Sequence, residues 1–119
     1  MNKRYIPKQR DLVWINFDPS IGREIQKRRP ALVVSDDKYN RVKGFVVVCP
    51  ITSTMRDGVE FVLLSNQSIK GQVISTQLYS FDYLDKNRDI EYIEKVSAFT
   101  FLDVAQKVTQ IFNFNFYQI

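Results

Sequence analysis

The chain has 119 residues, 45% hydrophobic and 25% charged, the make-up of one globular domain with a real core, which argues against a disordered or membrane-embedded protein. The formal net charge of +4 favours an anionic partner. There is no histidine and one cysteine, Cys49, so neither an internal disulfide nor a zinc-type ligand set can be assembled, and no metal or cofactor is expected. Acid–base chemistry falls to carboxylates, hydroxyls, lysine, tyrosine or arginine. The basic start Met1-Asn2-Lys3-Arg4 is followed by no apolar stretch, and the longest apolar runs are strand-sized. Neither a secretory signal nor a membrane span is expected, and the reading is a cytoplasmic protein.

In chain order, residues 1–9 read as a polar arm. Asp11-Leu12-Val13-Trp14-Ile15-Asn16-Phe17 is β-branched and aromatic, and predicts a strand apolar on both faces with Trp14 and Phe17 in the core. Asp18-Pro19-Ser20 breaks it, and a loop long for a strand connection runs to Pro30. That loop carries Arg23, Glu24, Lys27, Arg28 and Arg29. Pro30 fixes its own φ and drives Arg29 towards an extended conformation, so Arg29 should stand where the second strand, residues 31–35, begins. A charged loop held by a rigid scaffold is where binding and catalytic residues tend to sit, although a solvated basic turn has the same composition.

Residues 36–43 read as a polar connection punctuated by Gly44, and residues 45–51 as a third strand that buries Cys49. Thr52-Ser53-Thr54-Met55-Arg56-Asp57-Gly58 makes a hydroxyl-rich loop ending in an Asp-Gly turn signal. Strands are expected at residues 59–64, 72–78 and 90–96, with Lys70 in the loop between the first two of these. Ser97 predicts an N-cap, and Phe101, Ala105, Val108 and Phe112 recur at helical spacing, widened by Val104 and Ile111. The sum is a single domain, mainly β, with a C-terminal helix of about four turns packed on a small β-barrel.

Asp11-Leu12-Val13-Trp14, Asp18-Pro19, Gly22 with Glu24, Arg29-Pro30-Ala31, Ile51-Thr52-Ser53 and Gln77, in this order and spacing, resemble the MazF/PemK (Kid) toxins of bacterial toxin–antitoxin pairs. The resemblance covers nearly the whole chain. It implies an SH3-like barrel of the CcdB/PemK type, a homodimer, and metal-independent cleavage of single-stranded RNA at short motifs. It also implies a cognate antitoxin as partner, with DNA reached only through that antitoxin. Carried onto this chain, it makes Arg29 and Thr52 catalytic, Glu24 an accessory carboxylate and Gln77 a residue that helps hold RNA. The chain makes two departures from the usual pattern. Gly22-Arg23-Glu24-Ile25 stands where Gly-Ser-Glu-Gln is frequent, and Arg10 stands where a glycine commonly precedes the first strand's aspartate. The departures bear on base preference more than on activity.

The chemistry is coherent with these residues. Attack of a ribose 2′-OH on the adjacent phosphorus gives a 2′,3′-cyclic phosphate and a 5′-OH end. It needs loss of the 2′-OH proton, stabilisation of charge on the equatorial oxygens, and protonation of the leaving oxygen. Arginine suits the second task, since its planar fork stays charged and donates several hydrogen bonds to phosphate. Glu24 is either the base or a charge partner that orients Arg29. Thr52 would donate its hydroxyl to the phosphate, with Ser53 beside it. Arg23, Lys27, Arg28, Arg56 and Lys70 would contact phosphates, and Gln77 would read an unstacked base. The rivals are a CcdB-like gyrase-binding toxin, for which the terminal Phe116-Tyr117-Gln118-Ile119 would matter, and a non-catalytic SH3-like RNA-binding module. A metal-dependent nuclease is the weakest reading, because no tight carboxylate cluster is visible.

Overall fold

The computed structural model describes residues 4–17 and 28–117. Its strands are β1 (Asp11–Asn16), β2 (Arg28–Val33), β3 (Phe45–Thr52), β4 (Phe61–Leu63), β5 (Gln72–Ile74), β6 (Tyr79–Asp82) and β7 (Glu91–Lys95). Helix α1 (Asp37–Lys43) joins β2 to β3, a short 3₁₀ turn (Lys86–Arg88) precedes β7, and α2 (Ala98–Phe112) closes the chain's fold. The pairings among the described strands are antiparallel, in the order β4-β5-β3-β2-β1-β7, and β6 pairs β3 as well. The edges β4 and β7 are not paired with each other, so the bent sheet is a barrel left open on one side.

Both faces of the central strands are buried, as their unbroken apolar runs require. One face sends Leu12, Leu32, Cys49 and Ile51 into a core that includes Val73, Val96 and Val104, with Phe101 and Val108 of α2 packed on it. The alternate positions Val13, Ile15, Ala31, Val33, Val46 and Val48 form a second core with Phe81 and Tyr83. Burial pushes the Cys49 thiol up to about 12, the behaviour of a small hydrophobe and not of a reactive thiol. The helix α2 starts where expected: Ser97 Oγ accepts from the Thr100 amide, and Asn113 ends the helix in a left-handed conformation.

Several expectations need correction. The polar stretch after β2 is a helix, capped by Asp36 and ended by Gly44 at φ 70°. It carries almost no apolar stripe, because its one buried side chain is polar: Asn40 donates to Pro7 O at 2.9 Å and accepts from Ser35 Oγ at 2.5 Å. A periodicity search has nothing to find there. The strand expected over 72–78 stops at Ile74, turns, and resumes as β6, a separate strand on β3. Strand β2 begins at Arg28, and the strand expected over 59–64 is confined to Phe61–Leu63.

Arg10 occupies φ 81°, a region that favours glycine, which gives a physical reason for glycine at this point of the resemblance. The arginine is held there by its own side chain, which donates from Nε and Nη2 to Val96 O at 3.1 and 2.8 Å. Beside it Asp11 is buried, ion-paired with Lys95 at 2.8 Å, and bonded by the Tyr5 hydroxyl. Burial first, and that hydrogen bond second, hold the Tyr5 hydroxyl above its ordinary range.

Candidate active site

Strand β2 emerges from the core at its N-terminal end: Ala31, Leu32 and Val33 are buried, while Arg28 and Arg29 are exposed. It pairs with β3 through Ala31↔Pro50, Leu32↔Cys49 and Val33↔Val48. Continued beyond Ala31, the same antiparallel register brings Arg29 level with Thr52, where β3 ends. The two residues meet in an open cleft of about 350 Å³, lined by Arg28, Arg29, Pro30, Ile51, Thr52, Ser53, Thr54 and Lys70. None of these lining residues is a carboxylate, so the cleft presents cations and hydroxyls to whatever enters it.

The Thr52 side is braced from below. Thr52 is 8% exposed and its Oγ1 accepts from the Thr54 amide at 3.1 Å, leaving the hydroxyl proton available to a ligand. Its strand partner Gln72 is 6% exposed. Gln72 Oε1 accepts from the Arg56 amide at 2.9 Å and Nε2 donates to the Arg56 carbonyl at 3.1 Å, clamping the loop after Thr52. Gly71, at φ 141°, lets the preceding loop approach so closely that a Cβ there would stand 2.4 Å from the Thr52 carbonyl oxygen. The same loop is tied to β7: Glu94 accepts from Gln67 Nε2 at 2.5 Å and from the Ser68 amide at 2.8 Å. Chiefly the Gln67 hydrogen bond holds the Glu94 carboxyl below its usual range. Sequence reasoning missed Gly71 and Gln72. The signal available was a glycine wedged between Lys70 and a strand.

Arg28 and Arg29 have different fates. Arg28 pairs with Asp89 at 3.1 Å and Glu91 at 2.7 Å, with its guanidinium 5.9 Å from the Trp14 ring centre. Arg29 makes no ion pair among the described residues, and its guanidinium lies 5.9 Å from the ring centre of Phe17. Trp14 and Phe17, expected in the core, are half-buried and serve as seats for these arginines. Ser53 lines the cleft, whereas Arg56 is exposed outside the lining. Gln77 is exposed in the turn after β5, also outside the lining. Arg23, Glu24 and Lys27 lie outside the described residues. Among the described residues, no group of carboxylates or cysteine could hold a metal ion, and no helix is long and apolar enough to cross a membrane.

An open SH3-like barrel with one packed helix is the fold of the CcdB/PemK type, and this one presents arginine, lysine and hydroxyls in its cleft. The profile of the PemK-like, MazF-like toxins of type II toxin–antitoxin systems matches residues 8–112. The chain is 40% identical over 81 residues to the endoribonuclease toxin MazF of Escherichia coli K12, covering 67% of this chain and 72% of that one. The crystal structure of MazF (Form-I) from Deinococcus radiodurans superposes with a TM-score of 0.80 at 32% identity, over 93% of this chain and all (100%) of that one. A MazE–MazF crystal structure (Form-II) from the same organism gives a TM-score of 0.84 at 32% identity, over 94% of this chain and 100% of that chain. The chain belongs to the PemK-like, MazF-like toxin family, whose similar curated members are named endoribonucleases.

Proposed function

We propose that this chain is a sequence-specific endoribonuclease toxin that cuts single-stranded RNA in the cleft between β2 and β3, without a metal ion. The observation that carries the reading is the convergence of Arg29 and Thr52, from adjacent strands, on one cleft with Lys70 and no carboxylate among its described lining residues. The 2′-oxygen attacks phosphorus, the bond to the 5′-oxygen breaks, and the products are a 2′,3′-cyclic phosphate and a 5′-OH. Arg29 clamps the equatorial oxygens as their charge grows, and the Thr52 hydroxyl donates to one of them. Lys70 adds a mobile positive charge at the cleft wall. Glu24, outside the described residues, either takes the 2′-OH proton or orients Arg29. Glu24→Gln separates the two, because loss of a general base costs about 10²- to 10⁴-fold and removes the acidic limb of the pH–rate profile.

The protein acts as a cytoplasmic homodimer silenced by a cognate antitoxin, and reaches DNA only through that antitoxin. Support comes from the family and from the MazE–MazF complexes that this chain resembles. The deciding experiment incubates the protein with long single-stranded RNA in EDTA beside Arg29→Ala and maps the new ends. Discrete cuts at a shared motif, absent with Arg29→Ala, are expected. Intact RNA would overturn the reading and favour the CcdB-like, gyrase-binding alternative. The feature that speaks for that alternative is the exposed aromatic tail of Phe114, Phe116 and Tyr117, with Tyr117 100% exposed.

A further inference from the structure

Arg88, in the 3₁₀ turn before β7, has no place in the chemistry above, yet it is tied to the end of the strand that pairs with Arg29. Its Nη1 donates to the carbonyls of Asn16 and Phe17 at 3.0 and 3.3 Å, pinning the backbone at the end of β1. Asn16 returns the contact by donating from Nδ2 to Asn87 O at 3.0 Å. This is the end of β1 that pairs with the arginine pair of β2, through Ile15↔Arg29 and Asn16↔Arg28.

The same guanidinium lies 4.2 Å from the ring centre of Phe81. Phe81 meets Phe17 edge-on at 5.2 Å and 89°, and Tyr79 closes the group, edge-on to Phe17 at 5.0 Å. Arg29 then sits 5.9 Å from the Phe17 ring. The order is Arg88, Phe81, Phe17, Arg29: a buried ring and a half-buried ring between two cations, with the backbone of the second ring fixed by the first cation. Each cation is attracted to an electron-rich ring face, and the edge-to-face contact locks one ring against the other.

We propose that Arg88 is a positioning residue for Arg29. It holds Phe17 by backbone and by ring, so that the Arg29 guanidinium is seated before substrate arrives. An exposed arginine without an ion pair among the described residues has many rotamers to lose, and a displacement of about 1 Å at a reacting centre can cost on the order of 100-fold in rate. The inference rests on Arg29 being the phosphate clamp.

The test is a double-mutant cycle on the RNA motif mapped with the wild-type protein. It reads the single-turnover rate, and the Kd of the same RNA carrying a 2′-deoxy nucleotide at the cleavage position. Arg88→Met is expected to slow cleavage about 10- to 100-fold with Kd within about threefold. Arg88→Lys, which keeps the cation over the ring, should recover most of the rate. In an Arg29→Lys background Arg88→Met should cost less than about threefold, because the group it positions is already gone. Full-rate cleavage by a folded Arg88→Met protein would overturn the inference. So would an equal loss in both backgrounds, or a weakened Kd with an unchanged rate, which would make Arg88 a phosphate contact. If Arg88→Met does not fold, the cycle run with Arg88→Lys decides: its partial loss must vanish in the Arg29→Lys background. Normal cleavage by Arg29→Ala sinks the clamp reading itself, an outcome separate from any of these.

Discussion

The two flanks of β2 handle positive charge in opposite ways. On the β1–β7 side, Arg28 is matched by Asp89 and Glu91, and Lys95 by the buried Asp11. On the β3–β5 side, Arg29 and Lys70 face a cleft whose described lining holds no carboxylate. Neighbours in sequence thus differ: both arginines line the cleft, but Arg28 is ion-paired to the sheet edge, whereas Arg29 has no ion pair among the described residues. A count of cations would have treated them alike.

The largest test of that contrast is Arg29→Ala, which should slow cleavage by about 10²- to 10³-fold, the usual cost of one preorganised transition-state donor. Thr52→Val removes a hydroxyl hydrogen bond to a charged group, about 1.5–3 kcal/mol, and should slow cleavage about 10- to 100-fold with the melting temperature little changed. Normal rates in either variant would remove that residue from the site.

Gly71→Ala sharpens the comparison from the scaffold side. A Cβ 2.4 Å from the Thr52 carbonyl, at φ 141°, must displace the Thr52 end of β3. The expected cost is about 1–3 kcal/mol of stability by chemical denaturation, with cleavage slowed beyond what the lost stability explains. Salt should act on the open flank. With about four phosphate contacts, raising salt from roughly 50 to 200 mM should weaken binding to single-stranded RNA about fifty-fold. The smallest effect is reserved for Arg28→Ala. Its exposed ion pairs are worth about 1 kcal/mol or less, and the cleavage rate and salt slope should barely move. A steep fall in either would show that Asp89 and Glu91 release Arg28 to the substrate.

What could be read without coordinates is what local patterning encodes. Pro30 restrains its neighbour, so the extended start of β2 at Arg29 was legible, and Thr52 could be placed where an apolar strand gives way to hydroxyls. The α2 stripe of Phe101, Val104 and Val108 was legible as well, together with its Ser97 cap and the burial of Cys49. Helix α1 was not, because its inward side chain is the polar Asn40, satisfied by Pro7 and Ser35 from outside the helix. Nor was the break between β5 and β6, since a run of alternating residues carries no mark of which partner strand each half will find.

By itself, the sequence determined the sheet-plus-helix class and the extended, basic start of β2, because propensity, proline geometry and periodicity act within a few residues. Only the tertiary structure decided that Arg28 is paired with Asp89 and Glu91 while Arg29 has no ion pair among the described residues, that Gly71 and Gln72 brace Thr52, and that Arg88 reaches the end of β1. Those contacts join residues far apart in the chain, and the strand register that creates them is set by the whole core at once.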